Sequence, residues 1–316
     1  MKMSIFLDFD GTITTEDTVT HLANFALRFQ SQRQDRSIPP PDGSKATNAQ
    51  AQAQDEELSS RWDDVVHAYV SDYKSHVSSY APCADDRQCV DDEITFLRSQ
   101  KHVETRSLRR INECALFRGI SPATFRAAGA ELVRDGTVRL RPGFADFVRA
   151  ARAKGWGVNV VSVNWSAAFI EGACGFPEGE IRVFANEVRE DDGVVLGPGV
   201  LAGEALLTVD GEGEGESRGQ VGRNLTNSCD KRDVVQKVLR LHDVRDKPFF
   251  YFGDSTTDME CLLEASRGVV IADGEDSTLI RTLRRIGKRV PHVRDAEAGE
   301  ELVWASNFEE TIGVHV

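Results

Sequence analysis

Two short acidic clusters in this sequence have residue types and spacing suited to chemistry. Asp8-Phe9-Asp10-Gly11-Thr12 sets two carboxylates two residues apart beside a glycine turn, and Gly253-Asp254-Ser255-Thr256-Thr257-Asp258 sets two more four residues apart. Carboxylates held this close repel one another unless a cation or a proton lies between them. In the first cluster, one carboxylate could attack a phosphorus centre while its neighbour handles the proton of the leaving group. Two further groups could join them: the hydroxyl of Ser162, and the ammonium of Lys231 near a helix start in Cys229-Asp230-Lys231-Arg232-Asp233.

Each of these groups stands at the boundary of an element. Ile5-Phe6-Leu7, Val158-Asn159-Val160-Val161 and Phe249-Phe250-Tyr251-Phe252 are short apolar runs of the kind that fill a parallel sheet buried on both faces. Helical stretches at 142–154, 165–174, 256–265 and 276–286 alternate with strands at 157–162, 181–188, 249–252 and 268–271. Asp191-Asp192-Gly193 reads as a hairpin turn, and 302–308 as an added edge strand. The alternation predicts an α/β fold, a doubly wound parallel sheet with helices on both faces. Ligands bind such sheets beyond the carboxyl ends of the strands, so strands ending in Asp, Ser and Asp direct polar groups into one crevice.

In order and context, the four motifs resemble those of the haloacid dehalogenase (HAD) superfamily of aspartate-nucleophile phosphatases. The resemblance covers residues 1–16 and 139–290, and Arg141-Pro142-Gly143-Phe144 is similar to the phosphoserine-phosphatase-like branch. It implies a HAD-like, Rossmannoid core domain over 1–16 and 139–316. It also implies an α-helical cap domain of C1 type over 17–138, closing over the pocket. By the same resemblance Asp8 is nucleophile and metal ligand, and Asp10 is the acid/base, with its main-chain carbonyl on the metal. Asp254 and Asp258 complete the metal site, with Asp258 holding metal-bound water or orienting Lys231. Gly11, Thr12, Ser162 and Lys231 bind the phosphate. The implied cofactor is Mg²⁺, and the implied reaction is hydrolysis of a small-metabolite phosphomonoester through an aspartyl-phosphate. Val163-Asn164-Trp165 departs from the branch, which favours glycine there, and suggests a bulkier wall beside the pocket. Two other functions use the same scaffold: a phosphotransferase or mutase with a non-water acceptor, and a non-catalytic interaction protein.

Within 17–138, Asp17 or Thr18 is placed to cap a helix over 19–29, and in phosphoserine phosphatases an acidic residue near this offset reaches the substrate amine. Residues 31–59 carry a proline run and Gln/Ala bias without hydrophobic periodicity, which reads as a solvated or disordered insertion. A strong helical stripe follows at Trp62, Val65, Val66, Tyr69, Val70, Tyr73 and Val77. A third helical region spans 89–117, in two pieces, and Ser121-Pro122 starts a fourth helix. Arg106, Arg109 and Arg110 concentrate positive charge that could meet a substrate anion. The glycine- and acid-rich stretch 210–222 reads as a second insertion.

Composition sets the broad class. The 316 residues are 40% hydrophobic and 28% charged, as in a soluble globular protein, with a net charge of −13. That field opposes nucleic acid and anionic membranes as partners, while a local metal and Lys231 can override it for a small phosphorylated metabolite. No apolar run approaches the length of a membrane span. The first residues run straight into a strand, with no room for a signal peptide. The six cysteines, 83, 89, 114, 174, 229 and 261, show no CxxC and read as free thiols, so a cytoplasmic location is expected.

Overall fold

The computed structural model describes residues 3–34, 48–201, 223–241 and 248–312. The chain opens with β1 (Ser4–Leu7) and then runs through five helices: α1 (Val19–Gln34), α2 (Asn48–Ser79), α3 (Val90–Ser99), α4 (Lys101–Cys114) and α5 (Pro122–Arg134). There follow α6 (Phe144–Ala153), β2 (Gly157–Val161), α7 (Ala167–Cys174), β3 (Arg182–Phe184), β4 (Glu187–Val188) and β5 (Val195–Leu196). The last part holds α8 (Ser228–Leu241), β6 (Phe249–Gly253), α9 (Met259–Glu264), β7 (Arg267–Ile271), α10 (Thr278–Arg285), β8 (Leu302–Ala305) and α11 (Glu309–Ile312).

Six strands form one all-parallel sheet in the order β3-β2-β1-β6-β7-β8, and β4 and β5 form the expected hairpin. Helices cover both faces, as alternation along β1 requires: Ile5 and Leu7 enter the core that holds α6 and α7, whereas Phe6 enters the core that holds α8 and α10. The strand order reverses between β1 and β6, which is where a doubly wound sheet opens a crevice. Leu7 lies level with Val160 on one side and Phe252 on the other, so Asp8, Ser162 and Asp254 emerge together at the carboxyl edge.

The helices between β1 and β2 bear on this crevice. Asp17 caps α1 by accepting from the Val19 amide at 2.7 Å, and Ser121 caps α5 by accepting from Thr124 at 3.2 Å. Helix α5 lies against α7 so closely that a Cβ on Gly129 would sit 2.2 Å from the Phe169 carbonyl oxygen, so only glycine fits there. Two expectations change. Residues 31–34 and 48–59 are helical, not loop, because Ala, Gln and Glu are strong helix formers even without an apolar stripe. Arg106 and Arg110 are not free charges: both pair with Asp72 on α2, at 3.1 and 2.8 Å, and Arg109 lies 3.8 Å from Glu113. Residues 35–47 and the stretch 210–222 lie outside the described residues.

Candidate active site

Asp8 follows β1 directly, its amide donating to the Phe252 carbonyl at 2.9 Å, and its carboxylate is buried. Gly11 then turns the chain with φ +75°, and a Cβ here would lie 2.2 Å from Asp254 Oδ2. The glycine therefore lets two acidic segments approach each other. Thr12 Oγ1 donates to Asp254 Oδ1 at 3.0 Å and fixes that carboxylate. The Gly11 amide donates to Thr14 Oγ1 at 3.1 Å. Arg141, buried beneath the turn, donates to the Gly11 carbonyl through Nε (3.1 Å) and Nη2 (3.0 Å).

Lys231 projects from the first turn of α8 and is fully buried. Its Nζ lies 2.8 Å from Asp8 Oδ1 and 2.7 Å from Asp258 Oδ1. Asp258 is saturated with donors: Oδ1 also accepts from Tyr251 at 2.7 Å, and Oδ2 accepts from the amides of Asp254 and Ser255 at 3.2 and 3.1 Å. Carboxylate oxygens of Asp8, Asp254 and Asp258 all lie within 4.8 Å of one another. Burial works against the Lys231 charge, but Asp258 and then Asp8 outweigh it and hold the ammonium above its ordinary value. One cation thus faces three carboxylates. Burial first, then Asp258, pushes Asp8 well above the usual carboxylate range, and the same causes push Asp254 up to about 7.

A pH dependence follows from these directions. A carboxyl that binds its proton more tightly in the folded than in the unfolded chain loses stability as pH rises from its unfolded to its folded value. For Asp254 that window runs from 3.8 to about 7, and Asp8 adds to it with the same sign. In EDTA the melting temperature is expected to fall by several degrees between about pH 5.5 and about pH 8. A flat or rising profile in thermal melts would show that the trio does not carry this charge.

Asp10 is held apart from the trio. Oδ1 accepts from the Thr18 amide (2.8 Å) and hydroxyl (2.6 Å), and Oδ2 from Asn164 Nδ2 (2.9 Å). Burial, then the charge of Asp17, raises its pKa, while the bonds from Thr18 and Asn164 work against the rise. Ser162 is buried at the end of β2, its Oγ accepting from the Asn164 amide at 3.1 Å. The structure therefore gathers Asp8, Lys231, Asp254 and Asp258 at one point, with Gly11 and Thr12 in contact with the group. Ser162 joins them through the segment that holds Asp10.

Sequence reasoning missed Thr18 and Asn164 as the partners of Asp10, and Tyr251 as a partner of Asp258. A tyrosine inside a buried apolar strand was the available signal, since its hydroxyl needs an acceptor there. Trp165 both packs and lines space: its ring meets Trp62 at 6.0 Å and Phe117 at 5.7 Å, and it borders a cavity that Asp17, Tyr69 and Glu104 also line. All six cysteines are free. Burial pushes the Cys229 thiol up to about 11, so it is not a reactive thiolate.

Comparison with known proteins places this arrangement. A curated relative, the "Bifunctional TH2 protein, mitochondrial" of Arabidopsis thaliana, is 22% identical over 292 residues, covering 90% of this chain and 40% of that protein. The chain thus spans two-fifths of that relative's length. Among solved structures, a phospho-aspartyl intermediate analogue of phosphoserine phosphatase aligns with TM-score 0.44 and 11% identity, covering 97% of this chain and 94% of that one. A phosphoserine phosphohydrolase-like protein from Francisella tularensis aligns with TM-score 0.43 and 11% identity over 100% of both chains. The sequence profile of the haloacid dehalogenase-like hydrolases matches residues 95–263, more than half of the chain, from α3 through Lys231, Asp254 and Asp258. The chain belongs to the haloacid dehalogenase-like hydrolase family.

Proposed function

We propose that this protein is a Mg²⁺-dependent phosphatase that hydrolyses a small phosphomonoester through an aspartyl-phosphate on Asp8. The observation that carries the reading is the pairing of Asp8 with the buried Lys231, 2.8 Å apart, while a second carboxyl with raised pKa, Asp10, stands two residues on. Asp8 attacks phosphorus, and the bond from phosphorus to the leaving oxygen breaks. Asp10 gives its proton to the departing alkoxide. In the second half Asp10 takes a proton from water as that water attacks phosphorus, and the bond to Asp8 breaks to release phosphate. Dividing the displacement this way replaces one difficult step by two easier ones. Lys231, the Ser162 hydroxyl and the amides of Gly11 and Thr12 stabilise the phosphoryl oxygens as charge moves. Binding there requires the Gly11 amide to leave Thr14 Oγ1 and the Glu16 carbonyl, which it meets at 3.1 and 3.4 Å.

The donor set suits the metal. Asp8, Asp254 and Asp258 are hard oxygen donors sharing a single ammonium, and Mg²⁺ prefers such ligands. Asp8 and Asp254 with the Asp10 main-chain carbonyl would hold it, and Asp258, saturated by Lys231, Tyr251 and two amides, would sit beside it. When bound, Mg²⁺ neutralises the phosphate dianion and lowers its resistance to an attacking anion. The helical segment 17–138 serves as the cap in this reading, enclosing a metabolite and excluding a phosphoprotein. Among the described residues no helix is long and apolar enough to cross a membrane, and the free thiols support a reducing compartment such as the cytoplasm.

The test is phosphate release from small phosphomonoesters with Mg²⁺ and with EDTA, for the wild type and Asp10→Asn. Alkyl phosphates need a proton on the leaving oxygen, so Asp10→Asn should slow them by about 10²–10⁴-fold. With p-nitrophenyl phosphate, whose leaving group departs unprotonated, the variant should give a burst of nitrophenolate and then stall as aspartyl-phosphate. Equal slowing of both substrates without a burst removes Asp10 from the acid role, and a silent wild type removes the hydrolase reading.

A further inference from the structure

A cavity of about 270 Å³ is bounded by the start of α1, by α2 and α4, and by the segment after β2. Val163 and Trp165 line it on either side of Asn164, the residue that bonds Asp10. Asp17 and Val19, on either side of Thr18, line it too, so the cavity adjoins both segments that bond Asp10, the group that would protonate a leaving group. Its volume is roughly that of nine waters in the liquid, room for a compact organic group.

The walls have a specific character. Trp62 and Trp165 meet edge-to-face at 6.0 Å, and Tyr69 and several aliphatic side chains complete an apolar surface. Apart from the Tyr69 phenol, the ionisable side chains lining the cavity are Asp17 and Glu104, both acidic. Glu104 Oε1 accepts from the Tyr69 hydroxyl at 3.0 Å. No lysine, arginine or histidine lines the space among the described residues. Of the basic residues of α4, Lys101 Nζ donates to Asp230, to the Asn224 carbonyl and to Oγ1 of the lining residue Thr226, and Arg106 and Arg110 pair with Asp72. The aromatic walls and two carboxylates thus have no basic side chain among them, although Lys101 acts on Glu104 from outside the lining.

We infer that this cavity selects phosphomonoesters whose leaving group carries a positive charge, with Trp62, Tyr69 and Trp165 facing the cation and Asp17 and Glu104 neutralising it. Aromatic faces attract organic cations, and they do so more strongly where water is excluded. Burial raises the pKa of Glu104 against the Tyr69 bond and Lys101, so its charge there stays costly and a cation in the cavity would relieve it. The same walls act against the alternative. A leaving group bearing a carboxylate, such as that of phosphoserine, would meet two like charges and no lysine or arginine among the lining residues. The inference rests on the hydrolase reading for its substrate, although the cation site itself can be tested without turnover.

Two measurements decide it. In calorimetric titrations of the wild type, benzyltrimethylammonium should bind at least about tenfold more tightly than the neutral benzyl alcohol. In turnover, phosphocholine should exceed its neutral carbon isostere, 3,3-dimethylbutyl phosphate, by a similar factor in kcat/KM. In the double variant Asp17→Asn/Glu104→Gln, both preferences should fall severalfold, to what the aromatic walls alone supply. Equal binding of cation and neutral probe by the wild type overturns the inference, and no variant need fold for that comparison. A cation preference that persists undiminished in the folded double variant places it outside this cavity and overturns the assignment equally. If p-nitrophenyl phosphate and both esters are left intact, the hydrolase reading fails, and the titrations still decide whether the cavity takes cations.

Discussion

Asp8→Asn should lower phosphate release by about 10⁴–10⁶-fold while raising the melting temperature of the metal-free protein. The first effect follows from the role proposed for Asp8, because an amide oxygen is too weak a nucleophile to attack phosphorus. The second follows from charge. Asp8, Asp254 and Asp258 cluster within 4.8 Å around one ammonium, and burial with Asp258 makes the ionised form of Asp8 costly. Asparagine removes that charge with little change of shape. Lys231 still keeps Asp258 at 2.7 Å, so no cation is left unpaired. Melts in EDTA at about pH 8, where the unfolded chain ionises Asp8 fully, should show the gain best. Adding Mg²⁺ should narrow the difference, because the wild-type carboxylate then has its counter-charge. A variant that loses activity and is also less stable in EDTA would mean that Asp8 is a structural partner of Lys231, and the proposed role would lose its electrostatic support.

The reacting groups are legible in the sequence because each sits at the end of an element that announces itself. Asp8 and Asp254 follow apolar runs, and Ser162 closes a third run in the same sheet, so the crevice can be drawn from strand ends alone. What holds those groups is less visible. Asn164 reaches Asp10 across 154 positions of chain, and nothing local in Val163-Asn164-Trp165 announces that bond. The pairing of Arg106 and Arg110 with Asp72 depends on how α2 and α4 lie together, so the arginines read as free charge in the sequence. The start of α2 escapes for a different reason. Hydrophobic periodicity is silent over residues 48–59, which form helix through the propensity of Ala, Gln and Glu.

Lys231→Met should be the most destabilising single change in the site, costing about 3–5 kcal/mol in the metal-free protein at neutral pH. Methionine replaces the aliphatic stem of the lysine without its ammonium and suits the buried surroundings, so the loss is of charge more than of packing. Without the ammonium, Asp8 and Asp258 keep their buried positions with no cation between them, and the donors left to Asp258, the Tyr251 hydroxyl and the Asp254 and Ser255 amides, are all neutral. Denaturant titrations in EDTA measure this loss directly. Two further features separate a charge effect from a generally disrupted core. Lowering the pH toward about 5 should recover much of the lost stability, because protonating the carboxyls replaces the missing cation. The change should also be milder in the Asp8→Asn background by about 0.5–3 kcal/mol, because the neutral amide at position 8 no longer needs an ion partner. Additive losses in that double-mutant cycle would show that Asp8 and Lys231 do not act as a pair. The 2.8 Å contact would then have no energetic weight, and phosphate-oxygen binding would be left as the function of Lys231.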